Sequence, residues 1–393
     1  MTLRRRLAAA GFAAAVALTP ITVLTSGYLL AAPAIAAPAP SATSASATSA
    51  GTWLVGQFTN GQYYTSPYTN TADLSGTADL LLGLLASRTG QSTATAVDTW
   101  LKGQAPTVSS AGQLAKLAIV ASAMGDDPAS YGGVDLITKI TDAVTASTTG
   151  DLGDPYSDAL AIIALHRAGA TVPATLITGL AGRQDSSGEF YFGTSGTPSY
   201  FTDPDSTGVA IAALGLVKTD TTAATALNKA VAWAVADRTP TGYWSSYSPV
   251  NTTGLIGSAL RDQGTDVTSA VAWMQGQQVD AGGSGLPADL NGTHPDAYAT
   301  AQGLLLLGGV SLATDVLAPA ATVTPTPSPT PSVSATPSPA AGRSASANPL
   351  PATGDHGAPK ASAVGVEPIT LAVIGAASVG LIAAGAARSR RRS

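Results

Sequence analysis

Asp154-Pro-Tyr-Ser-Asp-Ala-Leu-Ala-Ile-Ile-Ala-Leu165 and Asp203-Pro-Asp-Ser-Thr-Gly-Val-Ala-Ile-Ala-Ala-Leu214 are two copies of one segment. Each opens on a short polar run and continues as a helix of small and apolar residues. Ser, Thr, Asp or Asn ahead of such a helix is a natural N-cap, because its side chain accepts from the free N–H groups of the first turn. Looser copies begin at Ser75, Ser110, Asn251 and His294. Asp205, Ser206, Thr252, His294 and Asp296 all fall at cap positions in this reading. Gly90, Gly125, Gly169, Gly264 and Gly308 stand where C-caps belong. A helix apolar on nearly all sides belongs inside a fold.

A second mark precedes each polar run. Trp53-Leu-Val-Gly-Gln57, Trp100-Leu-Lys-Gly-Gln104 and Trp273-Met-Gln-Gly-Gln277 share one pattern, and Trp233…Asp237 and Leu180…Gln184 are degenerate copies. Each ends a more amphipathic helix. Together the marks define six helix pairs at periods of about 40 to 53 residues, the signature of a helical-repeat array. Neither end of the array shows a polar capping repeat, so closure is expected rather than an open solenoid. The expected fold is all-α: an α6/α6 toroid over residues 51–317, small-residue helices inside and amphipathic helices outside.

The Trp/Gln endings, the Gly-aromatic elements Gly61-Gln-Tyr63, Gly188-Glu-Phe190 and Gly242-Tyr-Trp244, and the small-residue helices resemble prenyltransferase and squalene-cyclase repeats. That resemblance implies the α6/α6 toroid. The stretch Gln113 to Pro128 is also similar to the toroid of vitamin B12 carriers. The family's chemistry transfers poorly. The zinc site of protein prenyltransferases and the thioester of complement-like toroids both need cysteine, and the chain has none. The D-x-D-D acid of class II terpene cyclases has its nearest match at Asp203-Pro-Asp205-Ser206, where the last aspartate is replaced. Asp205 therefore reads as a cap. Polysaccharide hydrolases and lyases with α6/α6 rings need paired carboxylates, or a His/Tyr set, across a cleft. Glu189, Asp203 and Asp205 are the nearest residues to such a pair. The spacing of Asp151, Asp154 and Asp158 matches no known calcium loop, and neither a metal site nor a cofactor is expected.

The two ends carry addresses. Arg4, Arg5 and Arg6, an apolar stretch and Ala34-Ile-Ala36 have the layout of a secretory signal peptide, residues 1–36. Residues 37–50 read as an Ala/Ser/Thr linker. Residues 318–349 form a Pro/Ser/Thr-rich stalk, too polar to bury a core and able to span on the order of 90 Å at about 3 Å per residue. Residues 350–393 combine Leu350-Pro351-Ala352-Thr353-Gly354, an apolar stretch from Ile369 to Ala387 and four terminal arginines. This resembles the LPxTG sorting signal of sortase substrates. The resemblance implies cleavage between Thr353 and Gly354, covalent transfer of Thr353 to peptidoglycan, and a Gram-positive cell-wall location.

Between signal and motif the chain has 11 basic and 22 acidic residues, a net charge of about −11. This argues against nucleic acid or an anionic polymer as partner. The outer-to-inner loops gather aromatics, among them Tyr63, Tyr64, Phe190, Tyr191, Tyr243 and Trp244. In a closed ring these loops lie on one rim. That predicts an aromatic mouth binding an apolar or sugar-like ligand. The expectation is thus a monomeric surface protein that binds without catalysis. The alternative is a toroid enzyme, either a polysaccharide hydrolase or lyase or a terpenoid-cyclase-like protein.

Overall fold

The computed structural model describes residues 44–197, 200–279 and 284–314. The signal peptide, the 318–349 stalk, the sorting motif and the 369–387 apolar segment lie outside the described residues. No helix among those described is long and apolar enough to cross a membrane.

Twelve α-helices form six pairs among the described residues: α1 Ala45–Val55 with α2 Leu74–Ser87, α3 Gln91–Gln104 with α4 Ala111–Met124, α5 Leu136–Ala146 with α6 Pro155–Arg167, α7 Ala174–Ala181 with α8 Pro204–Leu216, α9 Thr221–Asp237 with α10 Pro249–Asp262, and α11 Thr268–Gly276 with α12 Ala297–Gly308. Two short antiparallel hairpins sit in the connections, β1 Phe58–Thr59 with β2 Tyr63–Tyr64 and β3 Tyr191–Phe192 with β4 Phe201–Thr202. The even-numbered helices each pack on two even-numbered neighbours, and α12 packs on α2. The ring is closed, and the chain folds as the α6/α6 toroid read from its repeats.

Neighbouring inner helices meet at equal heights. Asp79 of α2 faces Lys116 of α4, each the sixth residue of its helix, and Gly76 of α2 faces Tyr298 of α12, both in the first turn. All six inner helices therefore run the same way, their N-termini at one end, the mouth, and their C-termini at the other, the base. Close approach requires small residues. A Cβ on Gly254 would lie 2.3 Å from the Gln302 carbonyl oxygen, and one on Gly83 2.5 Å from the Ala301 Cα. The outer helices bury one stripe each, as α5 does with Leu136, Ile140 and Val144.

The fold starts earlier than expected. The Ala/Ser/Thr run ahead of residue 51 is not all linker, because α1 begins at Ala45 and buries Ala47 and Ala50. Alanine is the best helix former, and its small side chain suits a crowded ring. The four repeat tryptophans, Trp53, Trp100, Trp233 and Trp273, occupy equivalent places on outer helices. All are half-buried, with the following residue fully buried in each case. They serve as joints between pairs. Tyr63 packs tilted against Trp100 at 5.3 Å and Tyr243 stacks on Trp273 at 4.7 Å, while Gly188 lies against Trp233 and Gly285 against Trp53. Each contact joins one pair's loop to the next pair's outer helix.

Candidate functional site at the ring mouth

The loops entering the inner helices share one anchor. The backbone N–H of Tyr64, Phe190, Trp244 and Leu286 donates to the hydroxyl of Thr77, Thr207, Thr253 and Thr300, at 2.9, 2.8, 3.2 and 2.8 Å. The side chains of Tyr64, Phe190, Trp244 and Leu286 are buried beneath the loops. This corrects the expected aromatic mouth for three of its six residues. Tyr64, Phe190 and Trp244 are plugs that no ligand reaches. Tyr63 and Tyr243 each give a ring face to a tryptophan, and Tyr191 stacks on Tyr200 at 4.3 Å. The exposed aromatics at this end are Tyr68 and Tyr247.

The caps also sort differently from the expectation. Asp73, Asp154, Asp203 and Asp296 are the N-caps of α2, α6, α8 and α12, each accepting from a first-turn N–H. Ser206 is not a cap; its N–H and hydroxyl both donate to Asp203. Thr252 lies inside α10, and His294 is exposed, two residues ahead of the true cap. Asp205 is no cap either. It sits in the first turn of α8, hydrogen-bonded by the Thr252 hydroxyl, which in turn pairs with Ser246 at 2.6 Å. The signal that separates the two aspartates is Pro204. Proline suits the first helical position, which assigns Asp203 to the cap and frees Asp205.

Burial first, and the neighbouring Asp203 second, push Asp205 up to about 8. Across the ring, α2 holds Asp79. Its carboxylate meets the Lys116 ammonium at 2.8 Å, with only 11% and 8% of the two side chains exposed. Burial raises Asp79 too, and Lys116 offsets part of the rise. Tyr156, in the first turn of α6, stands near both acids and near the Lys116 ammonium. Helices α2 and α8 are three places apart in a ring of six, so Asp79 and Asp205 belong to opposite walls. Sequence reasoning missed Asp79 and Lys116. The available signal was a charge at the same register in two helices otherwise built of small and apolar residues.

The Asp151, Asp154 and Asp158 cluster is consumed by structure. Arg183 pairs with Asp151 at 2.9 Å and lies 3.6 Å from Asp158, while Asp154 caps α6. Burial pushes Asp158 up to about 7 despite the arginine. Glu189 also rises to about 7 through burial, but it stands on the loop outside the ring of inner helices.

The base differs in charge and in closure. Arg88, His166, Arg167, Lys218 and Arg261 stand at or just past inner-helix C-termini, where cations suit the helix dipole. After α12 the chain turns at Gly309, and the Leu312 carbonyl accepts from Arg167 of the opposite helix α6 at 2.7 Å. Ser311 donates to Asp262 at 2.5 Å. Residues 309–314 thus bridge the base.

No family model matches the chain, and no curated protein matches its sequence. Solved structures do match. The GH76A α-1,6-mannanase of Salegentibacter sp. HEL1_6 aligns at 12% identity and a TM-score of 0.50, over 67% of this chain and 97% of that one. An inactive variant of that mannanase in complex with α-1,6-mannotetrose gives 11% and 0.51 over the same shares. The Lin0763 protein from Listeria innocua gives 13% and 0.51, over 68% of this chain and 95% of that one. At such identities the likeness is one of fold.

Proposed function

We propose that the protein is a glycan-cleaving toroid displayed on the cell wall. The observation that carries this reading is the pair of near-buried carboxylates on opposite walls of the mouth, held in unlike environments. Asp205, raised to about 8, keeps its proton at neutral pH. Asp79 is raised by burial as well, and the ammonium it faces offsets part of that rise. A protonated carboxyl and a second carboxyl paired with an ammonium are the elements of acid–base cleavage of a glycosidic bond. In this role Asp205 donates its proton to the leaving glycosidic oxygen. The carboxylate of Asp79 takes a proton from the attacking water, whose oxygen bonds to the anomeric carbon. Tyr156 orients the sugar between them. The earlier expectation of binding without catalysis gives way here. The fold shared with a mannanase that binds α-1,6-mannotetrose supports a sugar as ligand.

Export and sortase attachment through Thr353 complete the proposal, on the strength of the terminal sequence signals. A panel of neutral, amine-bearing and uronic oligosaccharides, including α-1,6-mannotetraose, tests the chemistry. Asp205→Asn and Asp79→Asn should each lower turnover by at least about 100-fold, with helical circular dichroism unchanged. Turnover that survives in Asp205→Asn refutes the assignment.

A further inference from the structure

Four large hydrophobic side chains are well exposed among the described residues, and three of them stand on one sector of the mouth. Tyr68 is 65% exposed, Tyr247 54% and Leu290 42%. They come from three loops, those entering α2, α10 and α12, which are consecutive around the closing seam of the ring. The loops are tied together. Ser248 donates to the Ala288 carbonyl at 3.1 Å, joining the second loop to the third. The Tyr298 hydroxyl donates to Asp73 at 2.6 Å, joining α12 to the cap that follows the first loop. The Tyr68 phenol is pushed up by partial burial and then by nearby Asp296 and Tyr247, in keeping with a single patch.

The charge around this patch has one sign. The caps and first two turns of the six inner helices hold seven aspartates (Asp73, Asp79, Asp154, Asp158, Asp203, Asp205, Asp296), of which Asp79 is paired with Lys116, Asp158 is faced by Arg183 and Asp205 keeps its proton, so the acids that set the charge at the patch are its neighbours Asp73 and Asp296. The cations of the inner helices gather at the base instead. A uronic or phosphorylated chain meets repulsion at this mouth, and a neutral sugar gains only ring contacts. An ammonium gains attraction from the carboxylates and from the faces of exposed tyrosines.

We propose that Tyr68, Tyr247 and Leu290 form a docking platform for a glycan that carries amine groups, a chain of glucosamine units being the simplest case. The apolar face of the sugar ring lies on the tyrosines, and its ammonium points to Asp296 and the acids below. This rests on the glycan reading of the mouth and names its substrate class.

Calorimetry on the full chain in detergent micelles at pH 6 tests it, with a glucosamine hexamer, cellohexaose and a galacturonate hexamer as probes. The glucosamine hexamer should bind, cellohexaose about tenfold more weakly, and the galacturonate hexamer not at all. The Tyr68→Ala/Tyr247→Ala pair should weaken the first by about tenfold, and the Phe/Phe pair should restore it, because stacking needs the ring and not the hydroxyl. Both tyrosines are exposed, so neither change threatens the fold. Wild-type affinity in the Ala/Ala pair overturns the platform, as does equal binding of the galacturonate hexamer or binding of no hexamer. Binding with these preferences but without turnover upholds the platform and refutes the acid–base role of Asp205 alone.

Discussion

Asp203 and Asp205 are two residues apart in one polar run and do opposite jobs. Asp203 accepts from the first-turn N–H of Ser206, and Asp205 accepts from Thr252 of the next inner helix; burial raises both carboxyls. The hydrogen-bond partner decides this, and the partner depends on which way each side chain leaves the helix start. The aromatics divide in the same way. Tyr63 and Tyr64 are adjacent, yet one joints two repeats and the other plugs a loop, because strand neighbours point to opposite faces. The fully buried Trp244, whose indole donates to the Ala234 carbonyl at 2.7 Å, should be the costliest aromatic to truncate. Trp244→Ala should lose about 3–5 kcal/mol, and the half-buried Trp53→Ala clearly less. Thermal unfolding monitored by circular dichroism reads both, and equal losses contradict the division into plugs and joints.

Glycine marks where elements touch. Gly254 in α10 faces the backbone of α12, where a Cβ would stand 2.3 Å from a carbonyl oxygen. Gly103 in α3 has nothing within 4 Å. Gly254→Ala should therefore destabilise by about 1–3 kcal/mol through forced separation of the two helices. Gly103→Ala should stabilise by about 0.5–1 kcal/mol, since alanine is the better helix residue and nothing obstructs it. Melting temperatures that move the same way in both would contradict this. At this scale the sequence was highly legible. The Trp/Gln endings and polar openings recur, so the twelve helices and their inner and outer roles could be read directly. The start of α1 could not, because Ala45–Ala50 has the composition of a linker and helix formation there depends on packing against α2 and α12. The exchange of roles between Asp203 and Asp205 was legible through Pro204. The facing of Asp79 and Lys116 was not, since it requires knowing that α2 and α4 are neighbours at one height.

As a whole molecule the chain is polar in both senses. The inner helices carry their caps and most of their acids at the mouth, and Arg88, His166, Arg167, Lys218 and Arg261 at the base beside Asp126, Asp127 and Asp262. The described chain ends at the base, and the 318–349 stalk and Thr353 follow in sequence. If Thr353 is the attachment point, Thr353→Ala should shift the protein from lysozyme-released wall fragments to the membrane fraction. Persistent wall linkage in that variant would remove the sortase assignment without touching the toroid. The proton on Asp205 is itself measurable. A folded-state value near 8, against an ordinary carboxylate when unfolded, means Asp205 favours folding at low pH. That contribution fades as pH rises through the carboxylate range and is gone above about 8. Carbon-13 NMR of the aspartate side chains, with Asp205→Asn to assign the signal, reads it directly. A carboxyl that stays protonated at pH 7 and titrates near 8 is the predicted result, and one that titrates near 4 would contradict the acid at the mouth.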